Sequence, residues 1–224
     1  GSMNVYESAQ KRLDYIFNKF ENIYVSFSGG KDSGVLLNLC IDYIKKNNIR
    51  RKLGVFHIDY EAQYQMTTDY VDEVFSDDIN GMLEFHRICI PLCVPCATSM
   101  MQSYWRPWDP ALKDIWVRQM PTNAETKCDV FCEGMWDYDF QRKYVEHYKR
   151  THNNKKTCCL IGIRTQESLD RWRTIWGDNR MNFADNNKQA NAVFEAKTPV
   201  MDKLMKECPF VKGQASGEYV GLPD

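Results

Sequence analysis

The sequence has no apolar run of transmembrane length, no internal repeat and no low-complexity segment. Those absences exclude a membrane-spanning helix, a solenoid or propeller, and a disordered linker protein. Net charge is also nearly missing, since 29 Lys and Arg stand against 30 Asp and Glu, leaving −1. That balance excludes a general affinity for nucleic acid or for an anionic membrane; any such partner needs a local patch. The N-terminus lacks the cationic and apolar regions of a signal peptide, so a cytoplasmic protein with reduced thiols is expected. Nine cysteines, an odd number, agree with that expectation.

What is present describes a globular protein. The 224 residues are 43% hydrophobic and 26% charged, enough to build one sizeable domain. Residues 1–3 (GSM) read as an expression scar. Residues 4–20 carry apolar positions at helical spacing, and 22–28 form a β-rich run that stops at Gly29-Gly30. A second helix follows from Asp32, then a strand over 52–59. A helix over 62–79 turns Met66, Tyr70, Val71, Val74 and Phe75 inward, and a strand covers 82–90. Strands alternating with helices predict right-handed crossovers and a parallel sheet covered on both faces.

Residues 91–138 break the pattern. They are rich in proline, tryptophan and cysteine without a clear period, and mark either an insertion over a site or a packed structural subdomain. A charged helix near 138–152 and a buried strand over 157–164 resume the alternation. The domain is expected to span 4–184, and the tail 185–224 receives no structure from its pattern.

The stretch YVSFSGGKDSGVLL, Tyr24 to Leu37, places three glycines, a lysine, an aspartate and three serines between apolar runs. A strand, a glycine-rich turn and a helix N-terminus together make an anion site, because backbone N–H groups converge there and the helix dipole favours negative charge. The mononucleotide loop G-x-x-x-x-G-K-[ST] does not fit: Val25 stands where its first glycine belongs, and Asp32 where its Ser/Thr belongs. The dinucleotide pattern G-x-G-x-x-G does not fit either, since the glycines are 29, 30 and 34. An ordinary strand–turn–helix with an N-cap would explain the glycines and Asp32, but not the lysine between flanking serines.

The hexapeptide S-G-G-K-D-S, Ser28 to Ser33, resembles the PP-loop of the ATP-pyrophosphatase superfamily, which holds the β,γ-pyrophosphate of ATP. Two further signals resemble its phosphoadenosine phosphosulfate (PAPS) reductase-like branch. One is HIDYEAQY, with Asp59 and Glu61 at a strand end; the other is GIRTQESLDR, with Gly162, Arg164, Glu167, Ser168 and Arg171. Arginines at a strand end and one helical turn on would converge on a phosphate or sulfate. The intact loop, and the segment 103–121, resemble the IbrA/DndC-like subgroup of regulators and DNA-phosphorothioation proteins. The resemblance implies an adenine nucleotide alpha hydrolase fold, Rossmann-like α/β, with ATP and magnesium (Mg2+) as ligands. It implies nucleotide contacts from Ser26, Ser28, Gly29, Gly30, Lys31, Asp32, Ser33, Asp59, Gly162, Arg164, Glu167 and Arg171. Lys31, Asp32 and Arg164 would carry the chemistry. Cleavage between the α and β phosphates would adenylate an acceptor, with a protein partner or a homo-oligomer both compatible.

The chain departs from true PAPS reductases in two places. Their loop is modified because their substrate has no β,γ-pyrophosphate, whereas this one is intact. Their redox-active E-C-G-[IL]-H is absent, since Glu207-Cys208 is followed by Pro209-Phe210. A reductase using Cys208 and a nucleotide-sensing regulator are the rival readings. Cys93, Cys96, Cys128 and Cys132 are candidate thiolate ligands, but the loose spacing leads us to expect no structural metal there. Cys158-Cys159 reads as buried packing, and His57 as a core histidine on the same strand face as Asp59. The tryptophans at 105, 108, 116 and 136 are expected to pack the insertion, and Lys143, Lys149, Arg150, Lys155 and Lys156 to form a solvated edge.

Overall fold

The computed structural model describes residues 5–76, 81–96, 100–162, 191–193, 211–212 and 219–221. Helix α1 (Val5–Lys19) buries Leu13, Ile16 and Phe17, an i, i+3, i+4 stripe. Arg51 closes its C-terminal end, with Nη1 donating to the Phe20 carbonyl at 2.7 Å. Strand β1 (Asn22–Ser26) leads through the glycine-rich turn into α2 (Lys31–Lys46), and β2 (Leu53–Ile58) into α3 (Gln65–Ser76) and β3 (Leu83–Ile88).

The insertion contributes β4 (Val94–Pro95), β5 (Tyr104–Trp105), a 3-10 helix (Pro110–Ile115) and β6 (Ala124–Glu125). Helix α4 (Asp137–Thr151) and β7 (Thr157–Gly162) follow, then β8 (Asn191–Val193), β9 (Val211–Lys212) and β10 (Tyr219–Gly221). The strand order is β6-β3-β2-β1-β7-β9. The first five run parallel, and β9 is antiparallel to β7. This is the Rossmann-like α/β fold expected from the alternation. Among the described residues no helix is long and apolar enough to cross a membrane.

Pleating sorts the core into two layers. Ile23, Val25, Val55, Cys158 and Leu160 pack with α1, α2 and α3. Tyr24, Phe56 and Cys159 pack on the other face with Phe140, Tyr144 and Tyr148 of α4. Cys158 and Cys159 are buried side by side on opposite faces, and burial pushes the Cys159 thiol up to about 12. They are apolar packing, as the sequence suggests.

Two details differ from the sequence pattern. Helix α3 starts at Gln65 and not at 62, and Met66 is 84% exposed instead of inward, because the helix meets the core only from Thr68 onward. The insertion is partly woven into the main sheet, since β6 pairs with Arg87 and Ile88 of β3. Two residues are too few to carry a period of two, so pairing alone creates that strand. Of the basic residues, Lys143, Arg150, Lys155 and Lys156 are exposed, with Arg150 paired to Asp129 at 2.9 Å. Ser168 and Cys208 lie outside the described residues.

Candidate functional site

Strands β1, β2 and β3 step outward in one direction, and the chain then returns through α4 to place β7 on the opposite side of β1. In open α/β sheets such a reversal, here at the carboxyl ends of β1 and β7, is where ligands bind. The glycine-rich turn leaves β1 at this point. Ser26 lies opposite Ile161, so Gly162 adjoins the start of the turn.

The turn is held by its own serines. Ser33, buried in the first turn of α2, accepts from the Ser28 amide at 3.2 Å and donates to the Gly30 carbonyl at 3.0 Å. The Ser28 hydroxyl lies 3.1 Å from Ser33 Oγ and accepts from the Gly30 amide at 3.2 Å. Gly29 has φ +82°, and a β-carbon there would sit 2.8 Å from Thr67 Cγ2 and 3.0 Å from Val71 Cγ2 of α3. Both conformation and space require glycine. Gly30 caps α2 without a side-chain hydrogen bond, so the helix N-terminus faces solvent across backbone. Lys31 and Asp32 are the first two residues of α2, Lys31 exposed and Asp32 half-buried.

His57 supports the turn from below. Its Nδ1 lies 2.8 Å from the Phe27 carbonyl, which can only accept, so Nδ1 carries the proton. Burial lowers its pKa to about 4, against the pull of the Phe27 carbonyl and Asp59, while Arg87 and Arg118 act with burial. The folded state therefore keeps a neutral ring that the unfolded chain protonates near pH 6.5. Stability is complete above that value and falls as pH drops toward 4. We expect the loss between pH 7 and 4.5 to be roughly 2–3 kcal/mol. Urea denaturation at the two pH values would show a clearly flatter dependence for His57→Asn, and an unchanged slope would contradict this account.

Asp59 and Glu61, just beyond β2, are joined to the insertion. Asp59 is fully buried; its Oδ2 accepts from Arg87 Nε at 2.9 Å, and its Oδ1 accepts from the Glu61 amide at 3.0 Å and from Arg118. Glu61 Oε2 accepts from the Trp108 amide at 2.6 Å and Oε1 from the Val117 amide at 3.0 Å. Trp108 Nε1 donates to the Asp59 carbonyl at 2.7 Å, and its ring lies under the Arg118 guanidinium at 5.0 Å. Glu61 and Trp108 both have positive φ, +63° and +56°, a strain of the order of 1 kcal/mol each that this network holds in place. Both carboxylates are thus engaged in fastening the insertion to the sheet end.

The sequence reading missed Arg87 and Arg118. A signal existed in LEFHRI, where an arginine inside a buried strand demands a carboxylate. The insertion borders an open cavity of about 620 Å³ whose lining includes Glu61, Tyr104, Trp105, Arg106 and Trp116. A second, of about 450 Å³, lies over Asp72, Phe75, Arg87 and Arg118. The glycine-rich turn lines neither of these.

The four candidate thiolates, Cys93, Cys96, Cys128 and Cys132, form no disulfide with one another, and no three of them come within ligand distance. Trp108 packs edge-on to Trp116 at 5.2 Å, and Trp136 stacks on Tyr138 at 6.0 Å, consistent with packing roles. Arg164, Glu167 and Arg171 lie outside the described residues.

The strand, turn and helix just described fall inside a recognisable segment. Residues 22–87 match the phosphoadenosine phosphosulfate reductase domain. A protein of Escherichia coli (strain K12), "Uncharacterized protein YbdN", is 35% identical over 189 residues, 82% of this chain and 44% of that protein. Together these findings support a PAPS reductase-like family. The chain spans less than half the length of that relative. Short segments are also similar to 2,3-bisphosphoglycerate-independent phosphoglycerate mutases. The one from Lachnoclostridium phytofermentans is 64% identical over 36 residues, 16% of this chain and 7% of that protein. The one from Mycoplasma pneumoniae is 55% identical over 38 residues, 17% and 8%. Those segments are too short to carry an activity. No solved structure matches. The PAPS reductase-like segment runs from β1 to Arg87, so it contains the glycine-rich turn, Asp59 and the first arginine of the network.

Proposed function

We propose that this PAPS reductase-like chain binds ATP through Ser28–Ser33 and breaks it between the α and β phosphates, transferring AMP to an acceptor. One observation carries the reading: S-G-G-K-D-S joins the carboxyl end of β1 to the N-terminus of a 16-residue helix at the reversal of strand order. The helix dipole, the turn amides, the Ser28 and Ser33 hydroxyls and the Lys31 charge all favour an anion there. Ser26, Gly29, Gly30 and Gly162 would line its approach as backbone, without side chains in the way.

In the reaction, an acceptor nucleophile bonds to the α-phosphorus as the bond to the α–β bridging oxygen breaks. Pyrophosphate leaves with that electron pair, and the turn stabilises its charge. Asp32, in the first turn of α2, would help hold magnesium, which would supply positive charge to the phosphates. Asp59 serves as a positioning residue, because its oxygens already accept from Arg87, Arg118 and the Glu61 amide. Arg164, Glu167 and Arg171 follow Gly162 in sequence, and we assign Arg164 to the acceptor.

Incubation with α- and γ-labelled ATP, magnesium and cell extract as acceptor source should give labelled pyrophosphate and an AMP species. ADP with orthophosphate as the main products would sink the mechanism. Tight ATP binding without turnover in any extract would favour a sensor. The matched domain description favours one second reading, a sulfonucleotide reductase. It requires thioredoxin-dependent release of sulfite from PAPS, abolished by Cys208→Ser.

A further inference from the structure

At the edge of the sheet, on the α4 face, four side chains from three elements converge. Glu84 and His86 alternate along β3, Glu125 belongs to β6, and His152 follows α4. The His86 Nε2, His152 Nε2 and Glu84 carboxylate atoms all lie within 4.8 Å of one another.

The proton positions are constrained. His152 Nδ1 lies 2.8 Å from the Tyr148 carbonyl, an acceptor only, so that nitrogen carries a proton. His86 Nδ1 lies 2.7 Å from Glu125 Oε1, again an acceptor. In a neutral imidazole the remaining nitrogen of each ring then presents a lone pair. Both lone pairs face the same oxygen: Glu84 Oε1 is 2.8 Å from His152 Nε2 and 2.9 Å from His86 Nε2. His86 Nε2 is buried and makes no aligned hydrogen bond. Three electron-pair donors facing one place call for positive charge between them. It is supplied either by a proton on His86 Nε2, whose pKa, against its burial, is raised to about 9 by Glu125 and Glu84, or by a bound cation.

We propose that Glu84, His86 and His152 bind a divalent cation of the zinc class, with water in the fourth position. Two imidazole nitrogens and a carboxylate oxygen suit a borderline ion in tetrahedral geometry. Each imidazole has its other N–H fixed by a carboxylate or a backbone carbonyl, the arrangement that orients metal-bound histidines. His152 is further held by its stack on Tyr148, with ring centroids 3.8 Å apart. Tetrahedral zinc at about 2.05 Å needs ligand atoms roughly 3.3 Å apart, so the cluster opens by about half an ångström to admit it. The ion would tie the end of α4 to β3, on the α4 face of the sheet and two strands from β1, so the proposal does not depend on the nucleotide reading.

A competing cluster must be separated in the test. Cys128, Asp129 and His147 also come together, but Asp129 is already paired with Arg150. The full chain, stripped with EDTA and titrated calorimetrically with zinc chloride, should bind one equivalent. Its cobalt derivative should show visible d–d bands without a thiolate charge-transfer band. Glu84→Gln, which keeps the volume, and His152→Gln should each weaken zinc by more than about 100-fold. Glu125→Gln, an outer partner, should weaken it about tenfold. Circular dichroism of each metal-free variant checks folding, and Glu84→Gln alone suffices if His152→Gln does not fold. Absence of zinc binding, binding unaffected by Glu84→Gln, or binding lost in Cys128→Ser would each overturn the site.

Discussion

Asp59→Ala will destabilise the chain by about 3–5 kcal/mol, because it leaves two arginines without their shared carboxylate in a dry environment. Arg87 is 3% exposed, and its Nη2 has no hydrogen-bond partner among the described residues, so the Asp59 and Asp72 carboxylates are what offset its burial. Arg118 would lose the one carboxylate it pairs with among the described residues while still stacked on Trp108. For a chain of this size the melting temperature should fall by roughly 10 °C or more. Asp59→Asn preserves shape and the acceptor for the Glu61 amide, yet removes the charge, so most of the loss should remain. A double variant, Asp59→Leu with Arg87→Met, should recover part of it, since apolar replacements of a buried pair are often neutral. Thermal unfolding of the three proteins decides the matter. An Asp59→Ala melting temperature within a degree or two of the parent would show that the network carries no stability.

Lys31→Ala should weaken ATP binding by about 10- to 100-fold with no change in folding. A hydrogen bond to a charged group is worth roughly 1.5–3 kcal/mol, which converts to that range. Lys31 is exposed and sits at the first position of α2, where alanine is an excellent helix former. Its replacement should move stability by no more than about 0.5 kcal/mol. Isothermal titration with ATP and magnesium, beside a melting curve, separates the two effects. Unchanged affinity in a folded variant would remove the basis for phosphate binding at the turn. Lys31→Arg should retain part of the affinity, as charge is kept while the compact ammonium is lost.

The main sheet was legible because its information is local. A parallel strand buried on both faces reads as an apolar run, and Ile23–Val25, Val55–Ile58 and Cys158–Leu160 are such runs. The glycine-rich turn was legible for the same reason, since Ser28, Gly30 and Ser33 complete one another's hydrogen bonds within six residues. The acidic segment was found, but its partners were not. Nothing near Asp59 in sequence announces Arg118, and Glu61 spends its carboxylate on two backbone amides, which every residue type supplies. The insertion hid its contribution to the sheet because β6 is two residues long and is defined by what it pairs with. Met66 was misread because periodicity gives the direction of a side chain but not where along the helix the core begins.

The fastening of the insertion also bears on how the chain is made. Trp108, Val117 and Arg118 reach Asp59 and Glu61 across separations of 47 to 59 residues, and Arg87 across 28. During synthesis both carboxylates emerge tens of residues before their last partners exist. Closing such loops has an entropic cost that β2–β3 pairing must first offset. In chain order the fastening thus follows β1, β2 and β3 and precedes α4 and β7, so it joins a sheet that still lacks its central crossover.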